Sequence, residues 1–114
     1  MSPRTFLVAF AIASSSAALL AAPASAPHAA ACVAALKAEE SAMAETMKAG
    51  APVEDELLKV VRSGIAIIGT QYLAGLREAE AHALLAAAER DFQSLAPDTA
   101  EALQSECLVE GEGL

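Results

Sequence analysis

Residues 53–76, in the middle of the chain, read VEDELLKVVRSGIAIIGTQYLAGL. Large apolar side chains recur here at steps of three or four residues, the spacing that places them on one face of an α-helix. Pro52 is tolerated at a first helical position, and the three acidic residues after Val53 suit the positive end of the helix dipole. The pattern predicts a helix from about Pro52 to Leu76 that forms the centre of the core. Its inward face comprises Val53, Leu57, Val61, Ile65, Ile68, Tyr72 and Leu76.

Three glycines, Gly64, Gly69 and Gly75, interrupt this predicted helix. Within a helix each glycine costs about 1 kcal/mol relative to alanine, so the fold must gain something from them. The interpretation we favour is that the backbone of a neighbouring helix packs closely there. The alternative is a kink or a groove for a ligand. Gly75 also marks the break before the next helix.

The flanking segments are helical as well, because no run alternates in the manner of a β-strand. The first helix is predicted over about residues 28–48, ended by Gly50 and Pro52. Its inward face holds Cys32, Leu36, Met43 and Met47, and Glu40 falls on the same face, so packing there should be incomplete.

Two further helices are predicted over about residues 77–95 and 98–110. Pro97 separates them, and Asp98 with Glu101 forms a carboxylate version of the capping box. Gly111 ends the last helix. The inward side chains are Leu84, Ala88, Phe92 and Leu95 in the third helix, and Leu103 and Cys107 in the fourth. The predicted fold class is all-α, a small bundle of about four helices.

The N-terminus has the order of a secretory signal peptide. Arg4 precedes an uncharged apolar run over residues 6–20, and small residues and prolines follow. We predict cleavage after Ala24, which gives a signal peptide over 1–24 and a helical domain over 25–114. Two alternatives remain. One is an uncleaved membrane anchor, because no charged residue occurs between Arg4 and Lys37; the other is lipid attachment at Cys32.

The chain has two cysteines, Cys32 and Cys107. An even number in a small exported domain is typical of a structural disulfide, so we predict that they are bonded. An alternative pairs His28 with Cys32, four residues apart on one helix face, as metal ligands or as a base and a thiol. The sequence adds no further ligand to that pair, so we predict no metal site.

Composition excludes several classes of function. The 114 residues carry 7 basic and 15 acidic side chains, a formal charge of −8, which argues against nucleic-acid binding. A mean hydropathy of +0.43 argues against a disordered chain. The sequence lacks a nucleophile motif, a phosphate loop and a zinc-protease motif, so we predict neither catalysis nor a cofactor. Glu78 and His82 share one helix surface, and we interpret them as solvated.

The layout is similar to small periplasmic immunity proteins that neutralise secreted cell-wall amidases. The likeness is carried by Cys32-Val33-Ala34, by Tyr72-Leu73 and by Cys107-Leu108. It covers a handful of residues and implies an inhibitor of a periplasmic enzyme or toxin. We predict a periplasmic protein that binds a protein partner, without stable membrane insertion after signal cleavage. The alternative is a carrier of a small molecule or metal near Tyr72.

Overall fold

The computed structural model describes residues 26–73 and 75–114. In these residues the fold is an all-α bundle with no strand, which confirms the predicted fold class. The predicted signal peptide lies outside the described residues. The four α-helices are α1 (Ala26–Lys48), α2 (Glu54–Ile67), α3 (Glu78–Gln93) and α4 (Pro97–Glu112), and a π-helical turn (Ile68–Tyr72) extends α2.

Glycine ends two of these segments as predicted. After α1, Gly50 has φ +98°, and before α3, Gly75 has φ +76°. Both angles lie in the left-handed region, which glycine adopts without steric cost. The long helix predicted to reach Leu76 is shorter in the structure, because α2 gives way to the π-helical turn at Ile68 and Leu73 lies in a bend.

The predicted ends of α4 are wrong. Ala96 precedes the helix and makes no side-chain cap, and Pro97 occupies the first helical position. Asp98 therefore lies within the first turn and does not cap it. Gly111 lies inside the helix, one residue before its end at Glu112.

The capping-box hydrogen bonds predicted at the start of α4 are found instead at the start of α3. Glu80 Oε1 accepts a hydrogen bond from the backbone N–H of Arg77 at 3.1 Å and another from Arg77 Nε at 3.2 Å. These hydrogen bonds with Arg77 lower the pKa of Glu80 below its usual value. The carboxylate satisfies one of the backbone N–H groups that a helix start leaves unpaired.

The N-terminal half of α1 is the centre of the bundle. Its buried residues are Ala26, Ala29, Ala30, Cys32, Val33, Ala34, Ala35 and Leu36, which together surround the helix axis. The helices α2, α3 and α4 all pack against α1. Because alanine side chains are small, several helices can approach the same segment closely. The prediction that the second helix is central is therefore wrong.

The helix α2 is rotated relative to the prediction. Its buried residues are Val60, Ser63 and Ile67, none of which belongs to the predicted inward face. On that predicted face, Val61 is only half-buried and Ile65 is 64% exposed. Since each residue turns an α-helix by about 100°, the core side of α2 lies roughly a third of a turn from the predicted one. The reason is that α1 and α4 cover only one side of α2.

Tyr72 is buried as predicted and links the end of the π-helical turn to α3. Its hydroxyl donates a hydrogen bond to the carbonyl oxygen of Ala81. Burial raises the pKa of Tyr72, and the negative charge of Glu89 raises it further. This contact connects two helices across the turn at Gly75.

Candidate functional site

The helices α1 and α2 are separated on one side by an open groove of about 320 Å³. From α1 it is lined by Val33, Leu36, Lys37 and Glu40, and from α2 and the π-helical turn by Val60, Val61, Gly64, Ile65 and Ile68. The walls are mostly aliphatic, and α1 supplies one cation and one anion. We call this space the α1–α2 groove.

The sequence of α2 produces the groove because its apolar arc is wider than its contact with the core. Val60 and Ile67 face α1 and α4, while Val61 and Ile65 lie further round the helix and line the groove. Leu58 continues the same line of side chains and is 48% exposed. Leu58, Val61, Ile65 and Ile68 follow one another at steps of three and four residues, so they form a stripe along one face of the helix. We call these four residues the α2 stripe.

Two of the predicted packing glycines lie in open space. A Cβ atom added at Gly64 or Gly69 would meet no atom within 4 Å, apart from the local backbone. The close helix packing that we favoured at these two positions is therefore wrong. Gly64 lines the α1–α2 groove, which agrees with the alternative interpretation.

The glycine that permits close packing is Gly111. A Cβ atom there would lie 2.4 Å from the Cβ of Ser63, so the backbone of α4 lies directly on α2. Ser63 is buried and donates a hydrogen bond from Oγ to the carbonyl of Leu108 at 3.4 Å. The sequence feature that pointed to this contact was Ser63, a polar residue within the apolar part of α2. The contact was missed because Gly111 was interpreted as the end of the last helix, where glycine is common.

A second cavity lies beside Tyr72 and has a volume of about 500 Å³. It is lined by Tyr72, Leu73, Leu76, Glu78, Ala81, His82 and Leu85. Glu78 and His82 both contribute to this cavity and both are exposed. The hydroxyl of Tyr72 is already engaged with Ala81. Among these lining residues, the side chains of Glu78 and His82 are the polar groups left to meet a ligand.

The disulfide between Cys32 and Cys107 is present and joins α1 to α4, which confirms the predicted bond. Both cysteines are buried. The sulfur of Cys32 therefore has no free valence for a lipid. His28 lies beside the bond, with Nε2 at 3.7 Å from Cys32 Sγ and at 2.8 Å from Glu110 Oε2.

One carboxylate lies at an unfavourable position on α1. The Oε1 atom of Glu39 is buried and has no hydrogen-bond partner in the described part of the chain. Burial raises the pKa of Glu39 above its ordinary value, because desolvation disfavours the charged form. The neighbouring Glu40 lines the α1–α2 groove, which agrees with the incomplete packing predicted at that residue.

No helix in residues 26–73 and 75–114 combines the length and the apolar character needed to cross a membrane. No protein-family model, curated protein or solved structure matches this chain.

Proposed function

We propose that the chain is an exported, non-catalytic protein that binds a protein partner in the α1–α2 groove. The observation that carries the proposal is the α2 stripe, whose residues Leu58 and Ile65 are 48% and 64% exposed beside an apolar groove. A contiguous exposed apolar surface is typical of an interaction site. The shape of the α1–α2 groove supports the same function, because two helices form its walls.

The partner that fits the α1–α2 groove is an amphipathic helix from a basic protein. An apolar helix face can lie in a groove between two helices and place its side chains at steps of three and four residues. On the α1 wall, Glu40 can meet polar groups at the edge of such a helix, while Lys37 lies at the same edge with its Nζ 3.5 Å from Glu89 Oε2. The formal charge of −8 favours a basic partner, because opposite charges accelerate encounter.

Export is supported by the N-terminal pattern and by the disulfide, since such bonds persist in oxidising compartments. We place the protein in the periplasm. The mature protein is expected to begin near Ser25 and to be released by osmotic shock. N-terminal sequencing of the released protein tests this, and an intact Met1 in the membrane fraction contradicts it.

Inhibition of a periplasmic enzyme or toxin is a special case of this function. The partner helix would then belong to the enzyme, as the likeness to immunity proteins implies. Inhibition and other kinds of binding would use the same groove, so the experiment is directed at the groove.

Site-specific photo-crosslinking in cells tests the proposal. A photoreactive amino acid replaces Ile65 in the groove, and the control carries it in place of Val109, which is 70% exposed on α4. We expect an adduct with one other protein from position 65 and none from position 109. The second substitution Leu58→Asp should abolish the adduct, while Val109→Asp should not. No adduct, equal adducts from both positions, or an adduct with a second copy of the chain contradicts the proposal.

The carrier function is the competing candidate, and the cavity beside Tyr72 is the observation in its favour. Native mass spectrometry of protein purified from its own compartment separates the two. A retained small mass that is lost on Leu85→Trp, which would fill the cavity, supports the carrier. Protein of bare chain mass contradicts it.

A further inference from the structure

Four side chains that can bind a metal meet where α1 and α4 pack together. His28 and Cys32 lie four residues apart on α1, and Cys107 and Glu110 lie three residues apart on α4. Both spacings place the two side chains of each helix on one face. The disulfide shows that the two faces are opposed. Each helix therefore contributes one sulfur and one nitrogen or oxygen donor.

The donor atoms are already close together. His28 Nε2 lies 2.8 Å from Glu110 Oε2 and 3.7 Å from Cys32 Sγ, and the donor atoms of these three residues all lie within 4.8 Å of one another. Around a tetrahedral Zn²⁺, with ligand bonds of about 2.0 to 2.3 Å, neighbouring donors are separated by about 3 to 4 Å. The spacing of the donors of His28, Cys32 and Glu110 is thus close to the one a metal would need, and Cys107 Sγ adjoins this group through its bond to Cys32 Sγ.

The disulfide blocks this site in the oxidised protein. A thiolate is the form of cysteine that binds metals, and a sulfur in a disulfide carries no such charge. We propose that reduction of the bond creates a Zn²⁺ site formed by His28, Cys32, Cys107 and Glu110. The proposal is independent of the proposed function of the α1–α2 groove.

A dithiol can reduce the disulfide between Cys32 and Cys107. The dithiol supplies two electrons and two protons, so the disulfide becomes two thiols while the dithiol becomes a disulfide. Zn²⁺ then displaces one proton from each thiol and is held by two thiolates, the neutral imidazole and the carboxylate. Release of two protons makes the binding stronger as the pH rises.

The proposed site is open to solvent on one side only. Both cysteines are buried, whereas the side chains of His28 and Glu110 are 47% and 35% exposed. The metal therefore enters from the side of His28 and Glu110 and meets the sulfurs in an environment that excludes water. An apolar shell of this kind limits solvent access to a bound metal.

Cobalt titration of the full mature chain tests the proposal, with Co²⁺ as a visible substitute for Zn²⁺. A phosphine is the laboratory reductant, because it adds no competing thiol. Reduced protein is expected to show absorption from thiolate-to-cobalt charge transfer and from tetrahedral Co²⁺, and Zn²⁺ should displace it. Oxidised protein is expected to show neither band.

The variants identify the ligands. His28→Ala and Glu110→Gln should each weaken binding by more than about tenfold, a loss that even removal of a residue hydrogen-bonded to a ligand can cause. The matched controls His82→Ala on α3 and Glu112→Gln on α4 should leave the affinity unchanged. Circular dichroism checks the helix content of each reduced variant, and His28→Asn replaces His28→Ala if that variant loses helix. The proposal fails if reduced protein shows no cobalt–thiolate band, if oxidised protein binds equally well, or if the ligand variants bind as tightly as the controls.

Discussion

The N-terminal half of α1, residues 26–36, and the helix α2 differ in a way that hydropathy does not anticipate. The α1 segment is made mostly of alanine, and eight of its eleven residues are buried. The helix α2 carries larger aliphatic residues, yet only Val60, Ser63 and Ile67 are buried. Burial in this protein therefore follows the number of helices that can approach a segment. Small side chains admit three neighbours, while the wide apolar arc of α2 is left partly uncovered.

The disulfide offers the strongest way to break this contrast, because it holds the buried segment of α1 against α4. The bond joins residues 75 positions apart. In the loop-closure view, removing it with Cys32→Ala and Cys107→Ala should lower the free energy of unfolding by about 4 kcal/mol. Urea unfolding of the oxidised parent and the double variant measures this change. The control is reductant, which should destabilise the parent and leave the variant unchanged; a loss under about 1 kcal/mol contradicts the prediction.

Two isoleucines on α2 test the rotation of that helix. Ile67 is buried and Ile65 is 64% exposed. Ile67→Ala should lower the free energy of unfolding by about 3 kcal/mol, because it leaves a cavity in the core. Ile65→Ala should change it by less than about 0.5 kcal/mol. Urea unfolding of both variants provides the comparison, and equal losses would show that α2 presents a different face to the core.

Glycine substitutions sharpen the contrast between close and open packing. Gly111→Ala places a methyl group against Ser63 and should lower the free energy of unfolding by about 2 kcal/mol. Gly113→Ala is the matched control on the same segment, where the nearest atom to an added Cβ is 3.5 Å away. Gly64→Ala should raise stability by about 1 kcal/mol, because it gains helix propensity without a clash. Thermal melts with the disulfide intact give the signs, and a lower melting temperature for Gly64→Ala would contradict the open groove.

The smallest expected effect concerns Glu39, which follows the buried segment of α1. Its raised pKa means that the folded state binds this proton more tightly than the unfolded state does. The stabilising effect of the proton is therefore complete below the unfolded pKa, near the ordinary value of 4.5, and is lost as the pH rises through the folded pKa.

Glu39→Gln removes the cost of burying the charge. We expect a gain in stability at neutral pH of less than about 1 kcal/mol, since water still reaches part of the side chain. The gain should shrink as the pH falls below the folded pKa. Urea unfolding across this pH range measures it, and Glu40→Gln is the control on the neighbouring residue. A loss of stability at neutral pH for Glu39→Gln would show that the carboxylate has a favourable partner.

Local features of the chain were sufficient to predict much of the fold. The periodicity of apolar residues predicted four helices, and the stops at Gly50 and Gly75 follow from the left-handed conformation that glycine tolerates. The two cysteines predicted the disulfide because only one pairing exists. Tyr72 was correctly assigned to the core.

The candidate site was predicted only in part. Gly64 was identified as a possible groove residue, and it lines the groove in the structure. Ile65 was assigned to the core, because periodicity reveals the apolar side of a helix and not the part that neighbours cover. The contact of Gly111 with Ser63 joins residues far apart in the chain, so no local pattern contained it.

The sequence by itself determined the helices, their breaks and the covalent link, because each depends on the identity of residues close in the chain or on the count of cysteines. Tertiary structure alone decided that α1 is central, that α2 turns part of its apolar arc outward, and that His28 lies beside Glu110. These outcomes depend on how closely distant helices approach. The approach is set by side-chain volumes at the contacts, as the alanines of α1 and the pairing of Gly111 with Ser63 show.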